Sequence, residues 1–480
     1  MDILFIDSKD SNIYRKRRII NIIAILENEN TIEIMTISNK IMKQLEGKDP
    51  DIIYIFIGGM DYHTIVKFFE GKKAIIVSDE EALKLVVDIY ISDEAEEVLP
   101  LLLKAIEQKN DLSEVPGIIY RHTTKKANEW DINKIPFTAK NKEYTTFLSR
   151  GCKGQCSFCT IPKAQGKLRF RSIANVIDEV RYISTLEGFN QGYMYADCSF
   201  DSNPPKRLKT LLKALIQQVP YTVFGANFRP DFYKAADKEL IELLFYAGNY
   251  SAFIGVETAN EKDIVLYNKK STVAEAERTI QLFISNDTAV RIGFINFNPL
   301  STLEGIRENI TFLRKHHFGT YQNLTKRLEI KDAPIKGKLE EAGVTTFGHK
   351  YYYNDNQVMI LEETIKLAEK ELNKNALAIY KDFNIDEIKR LKRVALLTSK
   401  EEEFKIIQSY EEQAIKILYE ESDRLTEWLL KLIDMIADGT PQEEYFKLSR
   451  AYINNEHIRE VITNNKKLDR ELHREVLNIA

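Results

Sequence analysis

Cysteine is scarce in this 480-residue chain: four in all, none ahead of residue 152, three within eight residues and the fourth at Cys198. So few thiols, mostly in one place, exclude a disulfide framework and fit a reducing compartment. A long hydrophobic run is also missing, since no apolar stretch reaches the roughly 20 residues that span a bilayer. The opening MDILFID holds acidic residues and no basic run ahead of a long apolar segment. It does not read as a secretory signal, and a cytoplasmic chain is expected. Charge of one sign is lacking too: 68 Lys and Arg stand against 72 Asp and Glu, a net charge of -4 spread throughout. That balance gives no broad basic face, so a nucleic-acid substrate is not expected. There is no repeat of fixed period and no low-complexity tract, which excludes solenoid arrays. The length leaves room for two or three domains, each with its own core.

What is present is concentrated between residues 147 and 162, FLSRGCKGQCSFCTIP, where Cys152, Cys156 and Cys159 lie close together. A loop this short can aim three thiolates at one iron-sulfur cube, and the small Gly151 and Gly154 let the backbone wrap closely. With three irons held by protein, the fourth keeps an open coordination site where a substrate or cosubstrate can bind. The competing readings are three core cysteines or a structural zinc. Zinc needs a fourth ligand and usually takes its ligands as C-x-x-C knuckles. No second knuckle exists here, and none of the seven histidines lies near in sequence.

The chain before this loop alternates short apolar runs with helical stretches. Ile3 to Ile6, Asp51 to Ile57, Ala74 to Val77 and Val86 to Ile91 read as strands of a small parallel, Rossmann-like sheet. Pro116 to Tyr120 opens a hairpin and linker running to Phe137. From Tyr144 the pattern repeats as strand then helix. Candidate strands are Thr145 to Leu148, Gly192 to Ala196, Tyr221 to Phe224, Ala252 to Val256, Val290 to Asn296 and Asn323 to Ile330, with helices such as Ile173 to Leu186 and Pro205 to Gln218 between them. Beyond Tyr353 the sequence turns to Glu, Lys, Leu and Ile with few glycines, broken at Gly439-Thr-Pro441, which predicts four or more helices.

The spacing C-x-x-x-C-x-φ-C, with the aromatic Phe158 before the last cysteine, resembles the signature of the radical S-adenosylmethionine (SAM) superfamily. The resemblance extends to the branch that carries a cobalamin-binding domain ahead of its barrel. Phe170-Arg171-Ser172 with Val176 to Glu179, Tyr193 to Phe200, Ala226 to Pro230, Phe253 to Thr258, and Leu324 to Pro334 followed by Gly343 look like successive segments of that branch's barrel. Glu94-Ala-Glu96-Glu97 and Val115 to Arg121 look like the end of its N-terminal domain. The likeness covers about residues 1 to 350. It implies an α/β protein with a Rossmann-like, cobalamin-binding-like domain at 1–135, a partial (β/α)6 barrel at 140–345 and a helical region at 350–480. In such barrels the chemistry sits at the carboxyl ends of the strands.

The resemblance further implies a [4Fe-4S] cluster on Cys152, Cys156 and Cys159, and SAM as cosubstrate. Reductive cleavage of SAM would yield a 5'-deoxyadenosyl radical that takes hydrogen from an unactivated C-H bond. Phe158, Asp197, Arg229 and Glu257 are the candidate SAM-binding residues, Arg229 and Glu257 being equally readable as a buried ion pair. Cys198, at the end of the second strand, is the candidate hydrogen donor, or else a small core filler. Lys206-Arg207 and Tyr351 to Tyr353 are candidates for a peptide groove. Cobalamin binders of one kind use Asp-x-His-x-x-Gly. Here Asp61-Tyr-His63 follows a strand, but position 66 is Val. The domain therefore either binds cobalamin without that motif or is a vestige that holds substrate. The implied partners are a peptide or other natural-product substrate and a reductant such as flavodoxin or ferredoxin. Cobalamin-dependent C-methyl transfer and a non-catalytic electron-transfer or scaffold protein are the alternatives. Methylthiolation of tRNA fits less well, because those relatives carry a further cysteine trio ahead of the cluster loop.

Overall fold

The computed structural model describes residues 1–7, 13–27, 29–36, 45, 47–56, 67–68, 74–78, 83–84, 86–92, 94–121, 123–125, 131–330, 333–347, 350–368 and 384–453. Asp61, His63 and the glycines before them lie outside these residues. By packing, the chain forms two units: 1–151 with 161–189 and 194–198, and 152–160 with 190–193 and 199–480.

The first unit holds a sheet of β1 (Asp2–Asp7), β2 (Thr31–Thr36), β3 (Ile52–Phe56), β4 (Ile75–Ser78), β5 (Ile89–Ile91), β6 (Ile118–Tyr120) and β7 (Thr123–Thr124), in the order β2-β1-β3-β4-β5-β6-β7. The first five run parallel, and β6 and β7 form the antiparallel hairpin expected after Pro116. Ile3 to Ile6 and Ile52 to Ile55 are buried on both faces, which is why they read as unbroken apolar runs. β2 escaped the sequence reading because it ends the described sheet and, among its described side chains, Met35 is buried while Thr31 to Ile34 are exposed or half-buried. Helices α1 (Ile13–Leu26) and α2 (Ala95–Glu107) cover one face through Ile19, Ile22, Ile23, Val98, Leu99 and Leu102. The order 2-1-3-4-5 is that of a doubly wound sheet, whose ligand crevice lies at the carboxyl ends of β1 and β3.

The same unit includes β8 (Thr145–Thr146), the two-stranded pair β9 (Ser149–Arg150) with β10 (Arg169–Phe170), helices α3 (Ile161–Gln165) and α4 (Ile173–Ile183), and the end of β11 (Gly192–Tyr195), parallel to β8. Between β8 and β9 the Phe147 ring is bordered by three guanidinium groups, Arg17, Arg150 and Arg171, at 5.5, 5.4 and 4.5 Å from its centroid. Glu179 of α4 takes Arg171 at 2.6 Å, Arg17, and the Thr146 hydroxyl at 2.6 Å. Glu94 pairs with Arg150 and Arg169, and Glu96 with Arg150.

In the second unit Val223 donates its N–H to Gln191 O, setting β12 (Val223–Phe228) beside the start of β11. β13 (Asn249–Glu257) and β14 (Ala289–Phe294) follow in parallel. Helices α5 (Pro205–Gln218), α6 (Lys238–Tyr246), α7 (Glu261–Leu266), α8 (Val273–Ser285) and α9 (Leu303–Lys315) connect or follow these strands. Phe200, Phe224, Phe228, Phe232 and Phe283 stack at 4.5 to 5.7 Å as an aromatic core.

The sixth strand expected at Asn323 to Ile330 is not there. The Thr320 hydroxyl accepts the Asn323 N–H and starts a short helix, α10 (Tyr321–Thr325), leaving one parallel bridge between Phe297 and Arg327. Helix α11 (Ile335–Glu341) follows, residues 356–368 are helical, and α12 (Ile385–Leu397), α13 (Glu401–Ala437) and α14 (Gln442–Ile453) complete the helical region. Helix α12 closes the amino-terminal ends of the strands. Arg393 donates to the carbonyls of Phe245, Asn286 and Asp287 at 2.9 to 3.1 Å, Arg390 to that of Asn190, and Asp386 takes Arg291 at 2.9 Å. Gly192 is required there, since a Cβ would stand 2.6 Å from Arg390 Cδ.

Burial opposes ionisation of Glu179, but Arg17 and Arg171 overcome it and hold the carboxyl down at about 2. It therefore binds a proton less readily folded than unfolded. Its contribution, roughly 3 kcal/mol, is complete above about pH 4.5 and is lost as pH falls through about 2. Glu179→Gln should lower the unfolding free energy at pH 7 by that order, read as a lower urea midpoint, and flatten its fall between pH 4.5 and 2. An unchanged midpoint would contradict this.

Candidate functional site

The three cysteines sit in loop 152–160, which belongs to the second unit while Gly151 and Ile161 on either side belong to the first. The loop is tied down by its own unit. Ser157 donates its N–H to Tyr267 O at 2.8 Å and its hydroxyl to Leu266 O at 2.6 Å. Asn268 Nδ2 donates to Gln155 O at 2.7 Å, and Ile335 N–H to Ser157 O at 2.8 Å. Phe158 meets Tyr267 edge-on at 5.5 Å and packs on the cluster of Ile295, Leu328, Ile330, Ile335, Leu339 and Val344. The aromatic that the spacing singled out thus anchors the loop in an apolar core.

Cys152, Cys156 and Cys159 form no disulfide and are partly buried. Gly154 donates its N–H to Cys152 Sγ at 3.3 Å, and a Cβ on it would lie 3.4 and 4.0 Å from the sulfurs of Cys152 and Cys156. Among the described residues no three His, Cys, Asp or Glu side chains gather tightly enough to hold a single ion. Thiolates that each take a different iron of one cube need not gather so tightly. The donor set, three thiols on a glycine-bearing loop, fits a [4Fe-4S] cluster with one iron left open. Burial pushes the Cys156 thiol up, with Lys269 the strongest charge pulling the other way.

Two strand ends of the second unit supply charge. Arg229 follows β12. Its N–H donates to Asp201 Oδ1 at 3.0 Å, and Asp231 takes its Nε at 3.0 Å and Nη2 at 3.5 Å. Against burial, Asp231 and Asp201 hold this guanidinium above its usual range. Its Nη1 borders the loop, 2.9 Å from where a Gly154 Cβ would stand. Glu257 ends β13 at φ +72°, just past a register shift beside Gly255. Its Oε1 lies in a notch left by two glycines, 3.0 Å from where a Cβ of Gly255 would be and 3.3 Å from that of Gly293. Burial raises the Glu257 carboxyl, while Lys269, 4.0 Å away, and Lys326 oppose the rise. Arg229 and Glu257 are therefore each paired, but with Asp231 and Lys269 and not with each other.

Asp197 and Cys198 lie in the first unit. Asp197 accepts the N–H groups of Leu148 and Ser149 at 2.8 and 2.7 Å and the Ser149 hydroxyl at 2.6 Å. Burial nonetheless pushes its carboxyl up to about 6. Cys198 is partly buried, its Sγ 3.6 Å from Gln165 Oε1, which also takes the Gly151 N–H at 2.5 Å. Lys206 is exposed and Arg207 turns back to Asn203, while Tyr351 and Tyr353 stack edge-on at 5.5 Å, Tyr351 packing on the cluster that holds Phe158. The sequence reading missed Lys269, Asp201 and Asp231. No motif marks them, and the only available signal was their position shortly after strand ends.

A parallel α/β fold with three thiols on the loop that precedes its strand-helix units defines a cluster-binding domain. Residues 146–313 match the profile of the radical SAM superfamily. It is similar to the anaerobic magnesium-protoporphyrin IX monomethyl ester cyclase of Cereibacter sphaeroides, with 27% identity over 245 residues, 46% of this chain and 40% of that one. It is also similar to the ribosomal protein uS12 methylthiotransferase RimO of Clostridium acetobutylicum, with 29% identity over 185 residues, 36% of this chain and 40% of that one. The chain thus spans about 40% of the length of these curated relatives. Its fold resembles that of the cobalamin-dependent SAM radical enzyme OxsB, solved with aqua-cobalamin and SAM, at TM-score 0.63 and 16% identity, over 99% of this chain and 81% of that one. The radical SAM methyltransferase TsrM of Kitasatospora setae follows at TM-score 0.55 and 14% identity, over 71% of this chain and 75% of that one. No described helix is long and apolar enough to cross a membrane.

Gly151 is the point of entry to the loop. Its φ is +84°, and a Cβ would stand 2.8 Å from Lys167 O. Gly151→Ala should cost about 1–3 kcal/mol in strain and reduce the iron bound per chain after anaerobic reconstitution; full iron loading would count against this account of the loop.

Proposed function

We propose that this protein is a radical SAM enzyme that cleaves SAM reductively and uses the resulting radical on an unactivated C-H position of a ribosomal peptide or other natural product. The observation that carries the reading is the C-x-x-x-C-x-φ-C loop held in place at Ser157 and Phe158 on one side of the charged strand ends of β12 and β13. When bound, a [4Fe-4S] cluster on Cys152, Cys156 and Cys159 supplies the electron that breaks the sulfonium bond of SAM.

The chain's own residues bind and orient. Asp231 takes the Nε and Nη2 edge of Arg229, so Nη1 is the edge turned toward the loop. A guanidinium there suits the carboxylate of SAM's methionine moiety. Glu257 in its glycine notch suits a ribose hydroxyl, and the Phe158 contact with Tyr267 keeps the loop from opening to water. Asp197, whose oxygens already hold Leu148 and Ser149, serves SAM indirectly by fixing the strand end that leads into the loop. Cys198 would return a hydrogen atom to a substrate radical, with Gln165 orienting its thiol. The domains are assigned as a cobalamin-binding-like domain at 1–135, the radical SAM domain at 140–345 and the helical region at 350–480. A reductant such as flavodoxin or ferredoxin would supply electrons, in the cytoplasm.

Methyl transfer with cobalamin is the second reading, favoured by the doubly wound strand order of the first unit and by the likeness in fold to OxsB and TsrM. The residues that would meet the corrin follow β1 and β3, outside those described, and no step is assigned to them.

Anaerobically reconstituted protein with dithionite and SAM should release 5'-deoxyadenosine, and Cys152→Ser, Cys156→Ser and Cys159→Ser should each abolish release and lower bound iron. S-adenosylhomocysteine formed only when cobalamin is added would replace the first reading by methyl transfer. A reducible cluster that never cleaves SAM, with candidate peptides present, would sink both.

A further inference from the structure

Lys269 belongs to no recognised motif, yet it is placed at the centre of the charged site. The segment just before it is fastened to the cysteine loop three times: Leu266 O and Tyr267 O accept from Ser157, and Asn268 Nδ2 donates to Gln155 O. Asn268 is left-handed at φ +53°, which turns the chain so that Lys269 folds back over the end of β13. There its Nζ donates to Gly255 O at 2.6 Å and stands 4.0 Å from Glu257 Oε1, with the side chain 8% exposed. Gly255 carries no Cβ, and one would stand 3.7 Å from that ammonium. A cation held this far from water beside the ligand loop is costly unless something offsets it, and a carboxylate 4.0 Å away does so only in part. Adding an electron to an iron-sulfur cluster adds negative charge, and the potential follows the net charge and exposure around it.

We infer that Lys269 is a positioning residue that sets the reduction potential of the cluster on Cys152, Cys156 and Cys159, its fixed positive charge favouring the reduced state while it holds Glu257 in its notch. The inference rests on the cluster assignment made above. Arg229 is already matched by Asp231 and Asp201, so Lys269 is the lever whose removal changes the field most simply.

The test is a potentiometric titration of the reconstituted protein without SAM, read by the electron paramagnetic resonance of the reduced cluster. Lys269→Gln keeps a donor for Gly255 O and loses only the charge. It should disfavour reduction about tenfold, a shift of ~59 mV to more negative potential for one electron, at unchanged iron content. Lys269→Arg should restore the wild-type value. Should Lys269→Gln fail to hold a cluster, Glu257→Gln reads the same field with the opposite sign, and its potential should rise. Equal potentials in wild type, Lys269→Gln and Glu257→Gln overturn the inference and leave the cluster assignment standing. A wild-type protein that assembles no reducible cluster overturns the assignment itself.

Discussion

The ring of Phe147 and the charges about it join distant parts of the first unit, from Arg17 in α1 to Glu179 in α4. Three arginines cannot be gathered around one aromatic ring, away from water, without acids to match them. Glu179 answers Arg17 and Arg171, and Glu94 and Glu96 answer Arg150, with Glu94 also taking Arg169. Removing one partner would leave an uncompensated buried charge, which is why such pairs are costly to break even where they add little as a set. Residues 147–151, the last of the first unit ahead of the cysteine loop, are fixed in turn by these arginines, by Asp197 on Leu148 and Ser149, and by Gln165 on Gly151.

Within the second unit the work is divided between the two ends of the parallel strands. The amino-terminal ends are closed by α12, whose arginines satisfy carbonyls that would otherwise be left without donors. The carboxyl ends are left to Arg229 and Glu257, and the cysteine loop is fastened beside them at Gln155, Ser157 and Phe158. Helix α12, whose role the sequence did not indicate, thus closes the amino-terminal ends of the strands. The departure from a regular sixth strand belongs to the same economy. Asn296, Phe297 and Leu328 still make the backbone bonds of a strand pair, but only over one bridge, because the cap at Thr320 draws the preceding residues into a helix.

How much of this was legible beforehand depended on whether a feature is local. The thiol loop was, because three cysteines at fixed spacing need no knowledge of the rest of the fold. The strands at 3–6 and 52–55 were, since each is buried on both faces and reads as an apolar run, and those at 249–257 and 289–294 were in part, as Ala252 to Val256 and Val290 to Asn296, although Arg291 in the latter is exposed. β2 was not, because it ends the described sheet and most of its described side chains are not buried. Arg171, Glu179, Glu94 and Glu96 stood out as parts of a resemblance, but their meeting around Phe147 spans up to 162 residues of separation, as between Arg17 and Glu179. Sequence spacing carries no signal for a pairing of that kind. The same holds for the partners of the candidate site: Arg229 and Glu257 could be named from strand ends, whereas Asp231 and Lys269 are chosen by the way the backbone turns after them.

That pairing changes what the strand-end charges can do. Had Arg229 and Glu257 faced each other, each would have been spent on the other, and a ligand would have had to displace one to reach its partner. Instead Asp231 occupies one edge of Arg229 and leaves Nη1 toward the loop, while Lys269 stands 4.0 Å from Glu257, beyond hydrogen-bond length. Each group has an oppositely charged neighbour and retains hydrogen-bonding capacity for something else. A carboxylate can meet the guanidinium and a hydroxyl can meet the carboxyl, with neither buried charge left unmatched before they arrive. The charge balance of these strand ends is thus kept by residues that no spacing rule would have selected.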